Sequence, residues 1–233
     1  MALPKIDLPI SEIILPSNGE KVKYRPFSVA EEKVLLVAQE SGDAEQEVLA
    51  MKQIINNCLI DKDVEELALF DFEYVYLTLR SKSVDNVAQF VITDPDTKEK
   101  VELELDLQEI DFVRDERHTK EIKVNDEYTL ILKYPTINEF IKIIGMDNED
   151  PLVNYFMMVS CLDTLASEDE VHYFKDYSDK EVEEFMDGLT GEVVQQVTTF
   201  FETMPKLRKE IHYENKEGKK QTFVVEGTRS FFI

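Results

Sequence analysis

A chain of 233 residues, 43% hydrophobic and 10% aromatic, is long enough to bury a sizeable core in one or two domains, and its composition excludes a mainly disordered polymer. Its 49 acidic against 26 basic side chains, a formal net charge of −23, oppose binding to a phosphate backbone. That acid either serves solubility or steers the protein toward basic partners. No apolar run reaches the roughly 18 residues of a membrane span, and Met1–Lys5 lacks a signal pattern, so a cytoplasmic product is expected.

The first element is a hairpin, roughly residues 12–25. Asn18-Gly19 lies between Ile13-Ile14-Leu15 and Val22-Lys23-Tyr24, and this dipeptide readily supplies the positive φ of a tight turn. After Pro26, Ser28-Val29-Ala30-Glu31 is a capping box, so a helix is expected with Ala30, Val34, Val37 and Ala38 on one face and Gly42 at its end. A second helix, about 44–59, places Val48, Met51, Ile55 and Cys58 on one stripe. The third, from near Asp71, carries Phe72, Tyr74, Val75, Tyr76, Leu77 and Leu79. It is apolar nearly all round, as a central core helix should be.

From Asn86 the period becomes two. Val87, Gln89 and Val91 alternate, Asp94-Pro95-Asp96 turns the chain, and Val101, Leu103, Leu105 and Leu107 alternate with acidic or amide residues. Another hairpin spans 121–134, turning near Asn125-Asp126. Helices are then expected from the Thr136 capping box to Gly145, from Asp150-Pro151 to about Leu165, from the Ser178 capping box to Gly188, and from Gly191 to Met204. Residues 206–232 read as a final hairpin turning at Lys216-Glu217-Gly218. The fold class is therefore α+β: a helical core with several antiparallel hairpins, divided into 1–86, a β module at 87–134 inserted between two helical halves, and 135–233.

Chemistry is sparse. Cys58 and Cys161 read as buried hydrophobes, and His118, His172 and His212 fall in separate segments without zinc-ligand spacing. Asp94, Asp96 and Glu99 lack the glycine and terminal Glu of a calcium loop, so a solvated turn is expected there. Seven glycines form no phosphate-cradling motif. The expectation is no metal, no cofactor and no catalytic residue. The candidate partner-binding residues are Tyr24, Arg25 and Phe27 beside the first hairpin, and Arg80 and Lys82, whose charge also suits a helix carboxyl end. In the tail, Phe223, Phe231 and Phe232 could dock on this chain's own core or on a partner, and Phe231 and Phe232 are the ones retained as candidates. An enzyme whose site forms only in three dimensions, and an acidic nucleic-acid mimic or other host-directed inhibitor, stand as alternatives.

The run from Leu15 to Phe27 (Leu-Pro-Ser-Asn-Gly-Glu-Lys-Val-Lys-Tyr-Arg-Pro-Phe), followed by Glu31-Glu32-Lys33, resembles the start of the T4-type bacteriophage baseplate protein family. So do Gln53–Cys58, Phe70–Tyr74, Leu79–Val84, Lys133-Tyr134-Pro135 and the terminal Phe231-Phe232. The resemblance implies a baseplate hub component or hub assembly factor, working by protein contacts in the cytoplasm of an infected bacterium or in the virion tail. Its partners would be other tail, hub or tape-measure proteins, with no nucleic acid and no membrane, and with an oligomer left open.

Overall fold

The computed structural model describes residues 7–144, 146 and 151–226, and these form an α+β protein. The chain divides into two compact units, residues 1–113 with 206–233, and residues 114–205.

The first unit opens with the expected hairpin, β1 (Ser11–Ile14) and β2 (Lys21–Tyr24), paired antiparallel. Gly19 takes φ +74 in the turn, and Asn18 Oδ1 accepts the Glu20 amide at 2.9 Å. α1 (Val29–Ser41) begins at Ser28 with both arms of the capping box made, and Gly42 ends it in the left-handed region at φ 65. α2 (Ala44–Cys58) starts at Asp43, whose carboxylate accepts the Glu45 and Gln46 amides, and buries Val48, Met51, Ile55 and Cys58 as their spacing expects. α3 (Leu69–Ser83) has no side-chain N-cap, yet eight of its residues are buried, among them Phe72, Tyr76 and Leu79. Packing rather than local propensity therefore holds this helix.

Beyond α3 the hairpin β3 (Val87–Thr93) and β4 (Lys100–Asp106) turns Leu103 and Leu105 inward. The terminal hairpin, β10 (Lys206–Glu214) with β11 (Lys220–Glu226), is joined by a short strand that the periodicity does not announce, β5 (Asp111–Val113). Leu207 lies opposite Phe112 in that pairing, and Phe112 rests on Phe70 of α3 at 5.6 Å between ring centroids. The strands expected together at 87–134 are thus shared out: β3, β4 and β5 belong to this unit, and the remainder to the other.

The face expected to be inward on α1 is corrected by the structure. Leu35 and Ala38 are buried, whereas Val34 and Val37 are exposed, as are Val29 and Leu36. Apolar residues cover most of the circumference of this helix, so the 3.6-residue period does not select one face. Packing against α2 selects a narrow strip instead.

In the second unit, β6 (Glu121–Lys123), β7 (Thr129–Leu132), β8 (Leu162–Ala166) and β9 (Val171–Tyr173) form one antiparallel sheet in that order. With them come α4 (Ile137–Ile143), α5 (Pro151–Ser160), α6 (Asp179–Asp187) and α7 (Gly191–Thr203). Ile122, Leu130, Leu132, Leu162, Val197 and Phe200 form the middle of its core. The capping boxes at Thr136 and Ser178 are both made. Gly145 and Asp150, expected as helix punctuation, lie outside the described residues.

A second correction concerns α5. The apolar run expected as helix to about Leu165 stops at Ser160, and Leu162–Ala166 is a strand against β7, with Leu165 opposite Leu130. Ser160 Oγ donates to the Met157 carbonyl and the Cys161 amide to that of Met158, which closes the last turn. The next residues alternate buried Leu162 and Thr164 with exposed Asp163, a pattern that fits the open edge of β7.

Candidate partner-binding surface

Tyr24, Arg25 and Phe27 follow directly from the first hairpin, and the structure places two of them inside the unit. Tyr24 is 4% exposed and Phe27 5%. The backbone explains why: the Arg25 amide donates to the Cys58 carbonyl at 3.0 Å, the Ile60 amide to the Lys23 carbonyl at 3.0 Å, and the Phe27 amide to Ser83 Oγ at 2.9 Å. β2 is thereby stitched to the ends of α2 and α3. Arg25, half-buried, makes a two-pronged pair with Glu31, Nη2 to Oε1 at 2.7 Å and Nη1 to Oε2 at 3.0 Å. Nη1 also donates to the Pro26 carbonyl. The guanidinium and the donors of Ser28 hold the Glu31 carboxyl down at about 2. Arg25 is therefore chiefly a clasp on the start of α1.

Arg80 and Lys82 fall in the last turn of α3, where a cation meets the partial negative charge of the helix end. Arg80 is half-buried and Lys82 exposed. Lys82 borders a cavity of about 350 Å³ together with Tyr74, Thr78, Ser81, Gln108 and Leu207. Of the tail aromatics, Phe223 packs on Phe90 at 5.7 Å, within its own unit. Phe231 and Phe232 lie outside the described residues.

The turn expected to be solvated is so only in part: Pro95, Asp96 and Lys98 are exposed, but Asp94 is not. Asp94 is fully buried, and its carboxylate accepts the Thr97 amide (2.8 Å), the Asp96 amide (3.1 Å), Thr97 Oγ1 (3.0 Å), Tyr213 Oη (2.8 Å) and Asn215 Nδ2 (3.4 Å). These donors, the Thr97 amide foremost, lower its pKa to about 2. Lys219 and Gln221 reach Asp96, and Lys216 pairs with Glu99 at 2.7 Å. The acids of one hairpin turn are matched by the donors of the terminal hairpin, 119 residues away for Tyr213.

In the second unit, sequence reading passed over a pocket of about 260 Å³. Leu165, His172, Phe174, Tyr177, Val182 and Phe185 are among the residues that line it. His172 Nδ1 lies 2.7 Å from Tyr177 Oη, and Nε2 lies 3.3 Å from Glu170 Oε2. The pairing of β8 with β9 brings these residues together, and since β9 carries only a three-residue alternation, nothing local in the sequence signals them. His118 is half-buried at the side of the core: Nδ1 is 3.0 Å from Thr203 Oγ1 and Nε2 3.0 Å from Tyr134 Oη, with the ring packed on Tyr134 and Phe200. Thr203 already donates to the Thr199 carbonyl at 2.6 Å, so it accepts from Nδ1–H, and Nε2 accepts the Tyr134 hydroxyl. Burial, and then Lys120, push the His118 pKa below its ordinary value, against the pull of Asp115. Burial likewise lifts the thiols of Cys58 to about 11 and Cys161 to about 12, as befits inert core cysteines.

Among the described residues no group of three or more His, Cys, Asp or Glu is arranged to hold a metal ion, and no helix is long and apolar enough to cross a membrane. What the surface offers is acid, islands of cation and exposed apolar side chains, the ingredients of protein–protein contact. Residues 8–233 match the family described as T4 bacteriophage base plate protein, and the chain belongs to that family. No curated protein and no solved structure matches it.

Proposed function

We propose that this protein is a component of the baseplate hub, or a factor that assembles it, and that it works by binding other tail proteins rather than by transforming a small molecule. Family membership over residues 8–233 carries the reading. The acidic surface supports it, because a net charge of −23 keeps a carrier of apolar tail parts soluble. Arg80 and Lys82, cations at one helix end in so acidic a chain, are the proposed contact for an acidic patch on a hub or tape-measure protein, with Phe231 and Phe232 as an apolar anchor argued from sequence alone. Arg25 contributes by holding α1 in place, and Tyr24 and Phe27 by supporting it from the core. The working place is the cytoplasm of the infected bacterium, and the virion if the protein stays in the particle.

Affinity capture of the full chain from infected cells, read by mass spectrometry, tests this. Hub or tape-measure proteins should be recovered, and their yield should fall for the Arg80→Glu, Lys82→Glu double variant and for a chain lacking residues 229–233. Recovery of a metabolic enzyme or a host polymerase in their place would overturn the reading.

A further inference from the structure

α1 presents apolar side chains to solvent, among them Val34 and Val37 of the face expected to be inward. Val29 is 67% exposed, Leu36 51% and Val37 68%, and Val34 is also exposed. Single exposed hydrophobes need no explanation, but Val29, Leu36, Val37 and the exposed Ala30 fall within about 120° of one another around this thirteen-residue helix. In the middle of that face stand two charges, Lys33 and Glu40, both exposed and neither in an ion pair among the described residues. At about 100° per residue, positions seven apart differ by only roughly 20° around the helix and by about 10 Å along it. Lys33 and Glu40 therefore lie on one line, with Leu36 and Val29 on one side of it and Val37 and Ala30 on the other.

That arrangement is complementary to itself. Midway between Lys33 and Glu40 falls the peptide between Leu36 and Val37. A two-fold axis placed there, across the helix and in the plane of contact, sets a second α1 antiparallel to the first. It brings Lys33 of each copy against Glu40 of the other, while Leu36 meets Leu36 and Val37 meets Val37. A parallel pairing would set Lys33 against Lys33 and Glu40 against Glu40, so the charges select the antiparallel form. From this we infer that the outward face of α1 is a self-association surface whose occupant is α1 of a second copy. The inference concerns a surface apart from Arg80 and Lys82 and does not depend on the hub reading.

One helix pair of this length falls short of the roughly 1,600 Å² of a standard stable interface, so the dimer is weak and concentration-dependent. The charge of −23 on each copy opposes it further at low salt. At physiological ionic strength, where charges are screened beyond about 8 Å, the apolar face and the short ion pairs decide.

Sedimentation velocity of the full chain at physiological salt, over about a hundred-fold range of concentration, tests the inference. The wild type should move from monomer toward dimer. Leu36→Glu with Val37→Glu, both on exposed positions, should abolish the shift while leaving the far-ultraviolet circular dichroism unchanged, and Leu36→Glu alone should do most of it. Lys33→Glu or Glu40→Lys singly should weaken association by roughly ten-fold, since each sets like charges together at both ends. The double reversal K33E/E40K restores opposite charges and should restore the dimer. A wild type monomeric throughout, or a double reversal as weak as the single ones, would overturn the inference. So would a monomeric wild type whose Leu36→Glu, Val37→Glu variant loses a tail protein on capture, because the face would then belong to that protein.

Discussion

α1 and α3 are apolar helices of the same unit, and they use that character in opposite ways. α3 is buried nearly all round and carries Phe72, Tyr76 and Leu79 at the centre of the core, although it lacks a side-chain cap. α1 is capped at both ends, buries Leu35 and Ala38, and leaves Val29, Leu36 and Val37 in water. The difference separates two jobs that composition alone does not: α3 holds the unit together, and α1 is held in place by its ends while its face is free. Local signals, the capping box, the Arg25 clasp and Gly42, do for α1 what packing does for α3.

If that contrast is right, substitutions should sort by helix. Phe72→Ala removes a fully buried ring and should cost about 3–5 kcal/mol of stability in denaturant unfolding; a loss under about 1 kcal/mol would mean α3 is not the centre. Glu31→Gln removes the charge that both Arg25 and the Ser28 donors use, and should cost about 1 kcal/mol, on the scale of a lost cap. The same carboxylate gives a pH signature. Its folded pKa of about 2 lies below the ordinary 4.5, so its stabilisation is complete above about 4.5 and disappears as pH falls toward 2. Acid titration should therefore show that component vanish in the Glu31→Gln variant.

The second unit supplies a contrast in pH. Burial sets the folded pKa of His118 below the ordinary 6.5, so protonation costs more in the folded protein than in the unfolded one. Stability should be full above 6.5 and decline as pH drops from there toward the lower folded value, a window above that of Glu31. His118→Gln should flatten that decline in thermal melts followed between pH 5 and 8, apart from any change in overall stability. Leu36→Glu should be the mildest, within about 0.5 kcal/mol of wild type, because its site is solvent-exposed. A large loss there would show that α1 buries its outward face within the chain.

Most helices and all four expected hairpins were legible because their signals are local: Asn18-Gly19, the boxes at Ser28, Thr136 and Ser178, and the strict alternation from Val101 to Leu107. What escaped depends on distant partners. Leu162–Ala166 is as apolar as the helix before it and becomes a strand only because β7 offers an edge. Asp94 looks like any turn aspartate until Tyr213 and Asn215 arrive from the far end of the chain. Tyr24 and Phe27 read as partner-binding candidates beside the first hairpin, yet both are buried where the Arg25 and Phe27 amides bond to Cys58 and Ser83. Arg80 and Lys82 were placed correctly at a helix end, a position the spacing does reveal.

On the proposed function, this protein builds the baseplate by contact with its other proteins. Electron microscopy of lysates from phage carrying an early stop codon in this chain tests it most directly. Heads and other tail components without complete baseplates are expected, with assembly restored by the wild-type chain supplied in trans. Complete, infectious particles formed in its absence would contradict it.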